Sequence, residues 1–223
     1  MAMKKALLFG ATGFVGSHLL NDLLADARYD QVTIVVRRKL EMEHPKLKVL
    51  VGDFNTLESL KSELVADDVF IALGTTKKHT PNQAEYYQVD HDYPVLAAKL
   101  AQENGAKGVY VVTAIGANAD SKIFYTRTKG EVERDIKSLR YERTGIFEPS
   151  MIVGHRKEER PFEKTLIKIW NVLDRALAGP LDQYKGIDGK DVAKAMLNAA
   201  NSQAEPVKTY RWREMTSLTT REG

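Results

Sequence analysis

Three glycines spaced G-x-x-G-x-x-G near the start of the chain, Gly10, Gly13 and Gly16, constrain its fold more than any other feature. They follow a short apolar run over residues 6–10. They open a pattern in which Val15, Leu19, Leu20, Leu23 and Leu24 recur at helical spacing. A continuous apolar run is what a strand buried on both faces of a parallel sheet requires. In such a strand–turn–helix each glycine has its own task. Gly10 permits a tight turn, Gly13 lets backbone approach a pyrophosphate, and Gly16 lets the helix pack closely on the strand. The helix amides and the positive end of the helix then face an anion. The pattern points to a bound dinucleotide; a glycine triplet outside this context would say little.

The same alternation continues. Residues 32–36, 47–51, 69–73, 109–113 and 144–148 read as strands, the last closed by Pro149. Residues 57–64 read as a short helix, 82–104 as a long one with Pro81 near its start, and 122–139 as another. Strands alternating with helices predict right-handed crossovers and a doubly wound, mostly parallel α/β sheet, the dinucleotide-binding Rossmann fold. After Pro149 the texture changes. Residues 155–161 form a charged loop, 161–177 and 191–201 read as helices, and 216–223 as a polar, frayed tail. The expectation is one domain over residues 1–223, with residues 150–223 as a small region on the substrate side.

The second strand ends Arg37-Arg38-Lys39, and no acid follows until Glu41. The NAD form of this fold places an acid about 20 residues beyond the turn to bind the ribose. Arginines there suit a 2′-phosphate, to which the guanidinium offers a forked donor. NADP(H) is therefore expected over NAD(H), with a solvated basic turn as the plain alternative. Asp53 follows the third strand and could accept a bond from adenine. Gly74 follows the fourth and could admit the adenosine. Each is equally an ordinary turn residue.

Tyr125 and Lys129 stand four apart on a predicted helix and so share a face. An unperturbed phenol titrates at about pH 10, and a neighbouring ammonium lowers that value. Tyr125 could then act as general acid or base on a carbonyl or alcohol oxygen. Thr113, at the end of the fifth strand, is expected to hydrogen-bond the same oxygen. A surface Tyr–Lys pair beside an ordinary strand threonine is the alternative.

Together these residues resemble the short-chain dehydrogenase/reductase superfamily. The glycine spacing suits its extended and atypical branches. The match is closest to the atypical Tat-interacting-protein-like group of NADP(H)-binding proteins. The resembling segments are residues 32–40, 73–76, 89–93, 116–118 and 129–133, within a stretch running from about Lys4 to Ile152. The resemblance implies that the glycines bind pyrophosphate and that Arg37 and Arg38 hold the 2′-phosphate. It makes Tyr125 the catalytic acid and sets Lys129 on the nicotinamide ribose. The cofactor-facing set it implies includes Thr12, Phe14 and Val15 in the turn. Asp53, Phe54, Leu73, Gly74 and Thr75 follow at strand ends. Thr113, Pro149, Met151 and Ile152 complete the set. Two departures stand out. Ala114 replaces the second of two serines, and Glu148-Pro149-Ser150 stands where Arg-Pro-Gly is expected. The expected activity is NADP(H)-dependent reduction of a small carbonyl or oxidation of an alcohol. The departures motivate a rival, a non-catalytic NADP(H)-binding regulator or redox sensor. A nucleotide-sugar epimerase ranks last, because it needs a larger C-terminal region.

Other chemistries are disfavoured. The chain has no cysteine, which excludes disulfides and thiolate chemistry. Five histidines lack metal-ligand spacing, so no metal site is expected. No G-x-S-x-G elbow appears. A net charge of +3 and two isolated tryptophans argue against nucleic acid. No apolar run approaches membrane-spanning length, and glycines break the one that follows Lys4 and Lys5. A soluble cytoplasmic protein is expected, with a homodimer left open.

Overall fold

The computed structural model describes residues 3–76, 79–154 and 179–220. The expected loop over 155–161 and helix over 161–177 lie outside them. Strand β1 (Lys4–Phe9) leads through the glycine turn into helix α1 (Phe14–Ala25). Strands β2 (Tyr29–Val36) and β3 (Leu47–Val51) follow, then a 3-10 turn (Leu57–Glu63) and β4 (Asp68–Ile71). Next come α2 (Gln83–Tyr87), a π-helical turn (Gln88–Asp92), α3 (Tyr93–Glu103) and β5 (Gly108–Val112). Helix α4 (Phe124–Ser138) leads to β6 (Arg143–Phe147) and β7 (Met151–Val153). A 3-10 turn (Gly179–Tyr184) and β8 (Gly186–Asp188) precede α5 (Gly189–Ser202), β9 (Val207–Tyr210) and α6 (Trp212–Thr219).

Seven strands form one sheet in the order β3-β2-β1-β4-β5-β6-β9, and every pairing in it is parallel. The expected doubly wound α/β fold is the one observed. Chain order reverses between β1 and β4, so the glycine turn and the end of β4 meet at the switch point, where such sheets bind ligands.

The apolar runs are continuous because the sheet is covered on both faces. Ala6 and Leu8 of β1 face one core with Leu19 and Leu23 of α1 and Val192 and Met196 of α5. Leu7 and Phe9 face the other with Ala97 and Ala101 of α3 and Val132 and Ile136 of α4.

Three expectations need correction. The helix over 82–104 is not uniform, because the π-helical turn interrupts it. Residues 216–219 of the stretch read as a frayed tail belong to α6. That helix buries Met215 and Leu218 on one face, and its start is closed by the Arg211 N–H donating to Glu214 at 3.0 Å. Strand β9, which the sequence pattern did not announce, extends the main sheet beside β6. Val207 is exposed and Lys208 and Thr209 are half-buried, so this edge strand carries no apolar run to reveal it.

Candidate functional site

The glycine turn is built as its residue types demand. Gly10 has φ +85°, and a Cβ there would sit 2.4 Å from the Ala72 carbonyl oxygen at the end of β4. A Cβ on Gly16 would sit 2.0 Å from the Gly10 oxygen, so only glycine lets α1 close on β1. The Gly13 N–H donates to the Gly10 oxygen at 2.9 Å, and no side chain caps the helix start. Thr12 and Gly13 are exposed. This cradle fits a phosphate group. Val15 is buried in the core, so only its backbone can face a ligand. Phe14 is turned toward the later chain. A Cβ added to Gly154 or Gly189 would come within 2.5 Å of its ring, and the ring meets His18 edge-on at 5.5 Å.

Arg37 and Arg38 lie just beyond β2, exposed, and neither forms an ion pair with a described residue. Asp53 is largely engaged in its own turn. Its Oδ1 accepts from the Asn55 and Thr56 amides at 3.0 and 3.1 Å and from the Thr56 hydroxyl at 3.0 Å. Beside it the Phe54, Tyr93 and Phe9 rings meet edge-on at 6.0 and 5.9 Å. Burial and the Asp53 charge push the Tyr93 phenol up to about 12.

Tyr125 and Lys129 both project from α4, but they differ in setting. Tyr125 is 44% exposed, whereas Lys129 is buried. Lys129 Nζ lies 2.6 Å from Oδ1 of Asp90, itself 1% exposed on the π-helical turn. The other Asp90 oxygen accepts from the Thr75 N–H at 2.7 Å. A Cβ placed on Gly74 would be 3.9 Å from Lys129 Nζ, so this cluster borders the end of β4, next to Leu73. The expected lowering of the tyrosine does not follow. Desolvation and the Asp90 charge push the Tyr125 phenol upward, because the lysine is already paired.

Thr113 also departs from expectation. It is buried, and its hydroxyl lies 2.7 Å from Glu133 Oε1 and 3.3 Å from the Phe147 carbonyl. Its single hydrogen goes inward to an acceptor on α4 or β6 rather than outward to a substrate oxygen. Glu133 is raised by burial, although the Thr113 bond opposes the shift. Glu148 is buried and held by Arg211 Nε at 2.9 Å. Pro149 is buried, and its carbonyl accepts from the Ile115 N–H at 3.0 Å. Met151 and Ile152 lie half-buried on β7.

The structure thus brings together Gly10, Gly13, Gly16, Leu73, Gly74, Thr75 and Lys129 around one sheet edge and turns Thr113 away. Sequence reasoning missed Asp90 and Glu133 as site-building residues. Asp90 had a signal: Tyr86, Asp90, Pro94 and Ala97 fall on one buried helical stripe, and a buried carboxylate needs a partner.

The family described as NAD(P)H-binding matches residues 10–141. The chain is 34% identical over 204 residues to "Protein fmp52, mitochondrial" of Aspergillus fumigatus, covering 88% of this chain and 87% of that protein. Its fold is similar to UDP-N-acetylglucosamine 4-epimerase from Methanobrevibacter ruminantium M1. The TM-score is 0.70 at 20% identity, covering 95% of this chain and 77% of that one. It is also similar to the Bordetella bronchiseptica enzyme WbmH, solved in complex with NAD+. There the TM-score is 0.68 at 17% identity, with 94% and 76% covered. At such identity these structures speak for the fold alone. The expectation of a cytoplasmic protein is overturned: relatives from several fungi carry the designation mitochondrial.

Proposed function

This chain belongs to the NAD(P)H-binding family, and from that premise we propose that it is an NADP(H)-dependent oxidoreductase of carbonyls or alcohols, with Tyr125 as general acid and base. We place it, on its sequence resemblance, in the Tat-interacting-protein-like branch of the short-chain dehydrogenases/reductases. The observation that carries the activity is the cluster of Tyr125, Lys129 and Asp90 at the sheet edge that also bears the glycine turn. The nicotinamide, when bound, supplies or accepts a hydride. The Tyr125 phenol gives its proton to the carbonyl oxygen in reduction and takes one back in oxidation. Such help is worth roughly 10²–10⁴-fold in rate. Lys129 spends one donor on Asp90 and keeps others for a ribose hydroxyl. Arg37 and Arg38 take the 2′-phosphate, and among the described residues they have no ion pair to surrender. Asp53, Phe54, Leu73, Gly74 and Thr75 line the adenosine side, and Pro149, Met151 and Ile152 the nicotinamide side.

Tyr125→Phe should abolish NADPH-dependent reduction across a panel of small aldehydes and ketones while NADPH affinity stays within about twofold of wild type. Unchanged turnover in the variant rejects the mechanism. Fluorescence titration with NADPH and NADH side by side tests the cofactor, and tighter NADH binding rejects NADP(H).

One observation favours the second reading, a sensor that binds NADP(H) without turnover. The Thr113 hydroxyl is committed inward and Ala114 beside it has none, which leaves Tyr125 without a partner hydroxyl from this strand end. A pure protein that binds NADPH yet oxidises none of it with the whole panel would establish this reading.

A further inference from the structure

Two glycines stand side by side where the β7–β8 ribbon ends. Its parallel register pairs Met151 with Gly186, Ile152 with Ile187 and Val153 with Asp188, so Gly154 and Gly189 are the next residues along it. Both lack a Cβ against the same partner. A Cβ on Gly154 would sit 2.5 Å from Cζ of Phe14, and one on Gly189 would sit 2.5 Å from Cε1 and 2.7 Å from Cδ1 of that ring. Gly154 also has φ +135°, which a side chain would strain. The pair forms a slot, and the Phe14 ring fills it. His18, one turn further along α1, meets the ring edge-on at 5.5 Å.

Phe14 is the first residue of α1, directly after the glycine turn, so its ring joins the phosphate cradle to the ribbon. The other end of the ribbon is fastened too. The Ser150 hydroxyl lies 2.8 Å from the Tyr184 carbonyl and 3.0 Å from that of Lys185, the residues leading into β8. Met151 and Ile152 run between these two fastenings, and Ile152 and Ile187 pack on the core shared with α1 and α5.

We propose that Phe14 is a positioning residue of this site: its ring, seated between Gly154 and Gly189, sets the β7–β8 ribbon against the phosphate cradle and so places Met151 and Ile152 for the nicotinamide end of the dinucleotide. The proposal rests on the reading of those two residues as the nicotinamide side given above. The ring touches no reacting atom and acts through the ribbon. Close-packed interiors transmit a displacement rather than absorb it, so a loss of fit at the slot is felt at Met151 and Ile152. The cradle keeps its shape, because Gly10 and Gly16 set it against β1 and β4. The phosphates therefore answer to the cradle and the nicotinamide end to the ring.

The first arm of the test uses the cofactor-free protein. Hydrogen exchange of the β7 and β8 amides should be at least about tenfold faster in Phe14→Leu than in wild type, with the β1 and β4 amides unchanged. Unchanged exchange in β7 and β8 overturns the proposal. The second arm compares NADPH with 2′-phospho-ADP-ribose, which lacks the nicotinamide. Phe14→Leu should weaken NADPH by about tenfold and the fragment by less than about twofold. Gly189→Ala, whose methyl evicts the ring from one wall of the slot, should do the same. Equal losses for the two ligands, or none, overturn the proposal. If Phe14→Leu does not fold, Gly189→Ala decides both arms. A wild-type protein that binds neither ligand rejects the NADP(H) reading and with it the nicotinamide placement, while faster exchange in the variant would still keep the Phe14 joint.

Discussion

Each end of the sheet buries an aspartate against a lysine, and the two pairs serve different ends. At the amino ends of the strands, Asp68 of β4 is fully buried. Its Oδ2 meets Lys4 Nζ of β1 and the Tyr29 hydroxyl of β2, both at 2.8 Å, and its Oδ1 meets Arg143 of β6 at 3.4 Å. Lys4 goes on to the Ala200 carbonyl and Asn201 of α5 at 3.0 and 3.1 Å. The cluster ties four strands to the helix that covers them, and it drives the Tyr29 phenol far above its ordinary range through burial and the Asp68 charge. At the carboxyl ends, among the described residues, Asp90 holds one ammonium and one amide, and the neighbouring Tyr125 is open to solvent. The same residue types knit the fold where one buried carboxylate is shared among three donors, and leave a phenol accessible where it is not.

Breaking the amino-end cluster should give the largest effect on stability. Asp68→Ala leaves Lys4, Tyr29 and Arg143 without their shared acceptor and should cost about 3–5 kcal/mol, read as a lowered urea midpoint. The NADPH affinity of the folded fraction should not change. A loss below about 1 kcal/mol would erase the contrast, as would a fall in NADPH affinity. Arg37→Ala or Arg38→Ala should act the other way round. Stability should move by less than about 0.5 kcal/mol, while NADPH affinity falls by about 1.5–3 kcal/mol, the worth of a charged hydrogen bond, with NADH unaffected. Equal losses for both nucleotides would show that these arginines do not read the 2′-phosphate.

The smallest effect concerns pH. Burial raises Glu133 above its ordinary 4.5, so the folded chain holds a proton there that the unfolded chain has released. Its contribution is present in full below about pH 4.5 and is lost as pH rises through the raised value. Glu133→Gln removes that dependence. Unfolding free energies of the two proteins, measured stepwise from pH 4.5 to 7, should drift in favour of the glutamine variant. A constant gap would place the Glu133 shift elsewhere.

Much of this was legible from local pattern. The apolar runs that became β1, β2, β4 and β5 announced strands covered on both faces, and the glycine spacing announced a helix closing on a strand. Both signals are local: side-chain periodicity and the room a Cβ needs depend on a few neighbouring residues. Residues 207–210 carry no apolar run to announce β9, although Trp212, Met215 and Leu218 carried the spacing that becomes α6. The Tyr125–Lys129 spacing correctly put both residues on one helix, yet it could not say which of them faces solvent.

What the sequence alone determined is the doubly wound scaffold, the glycine cradle at Gly10 and Gly16, and a basic end to β2. What only the tertiary structure decided is pairing across distance. Asp68 meets Lys4 across 64 positions, Asp90 meets Lys129 across two helices, and the Thr113 hydroxyl chooses Glu133. A carboxylate can take any donor the fold brings within about 3 Å. Which donor arrives depends on strand order and on how each helix is turned about its axis, and no run of neighbouring residues encodes either by itself.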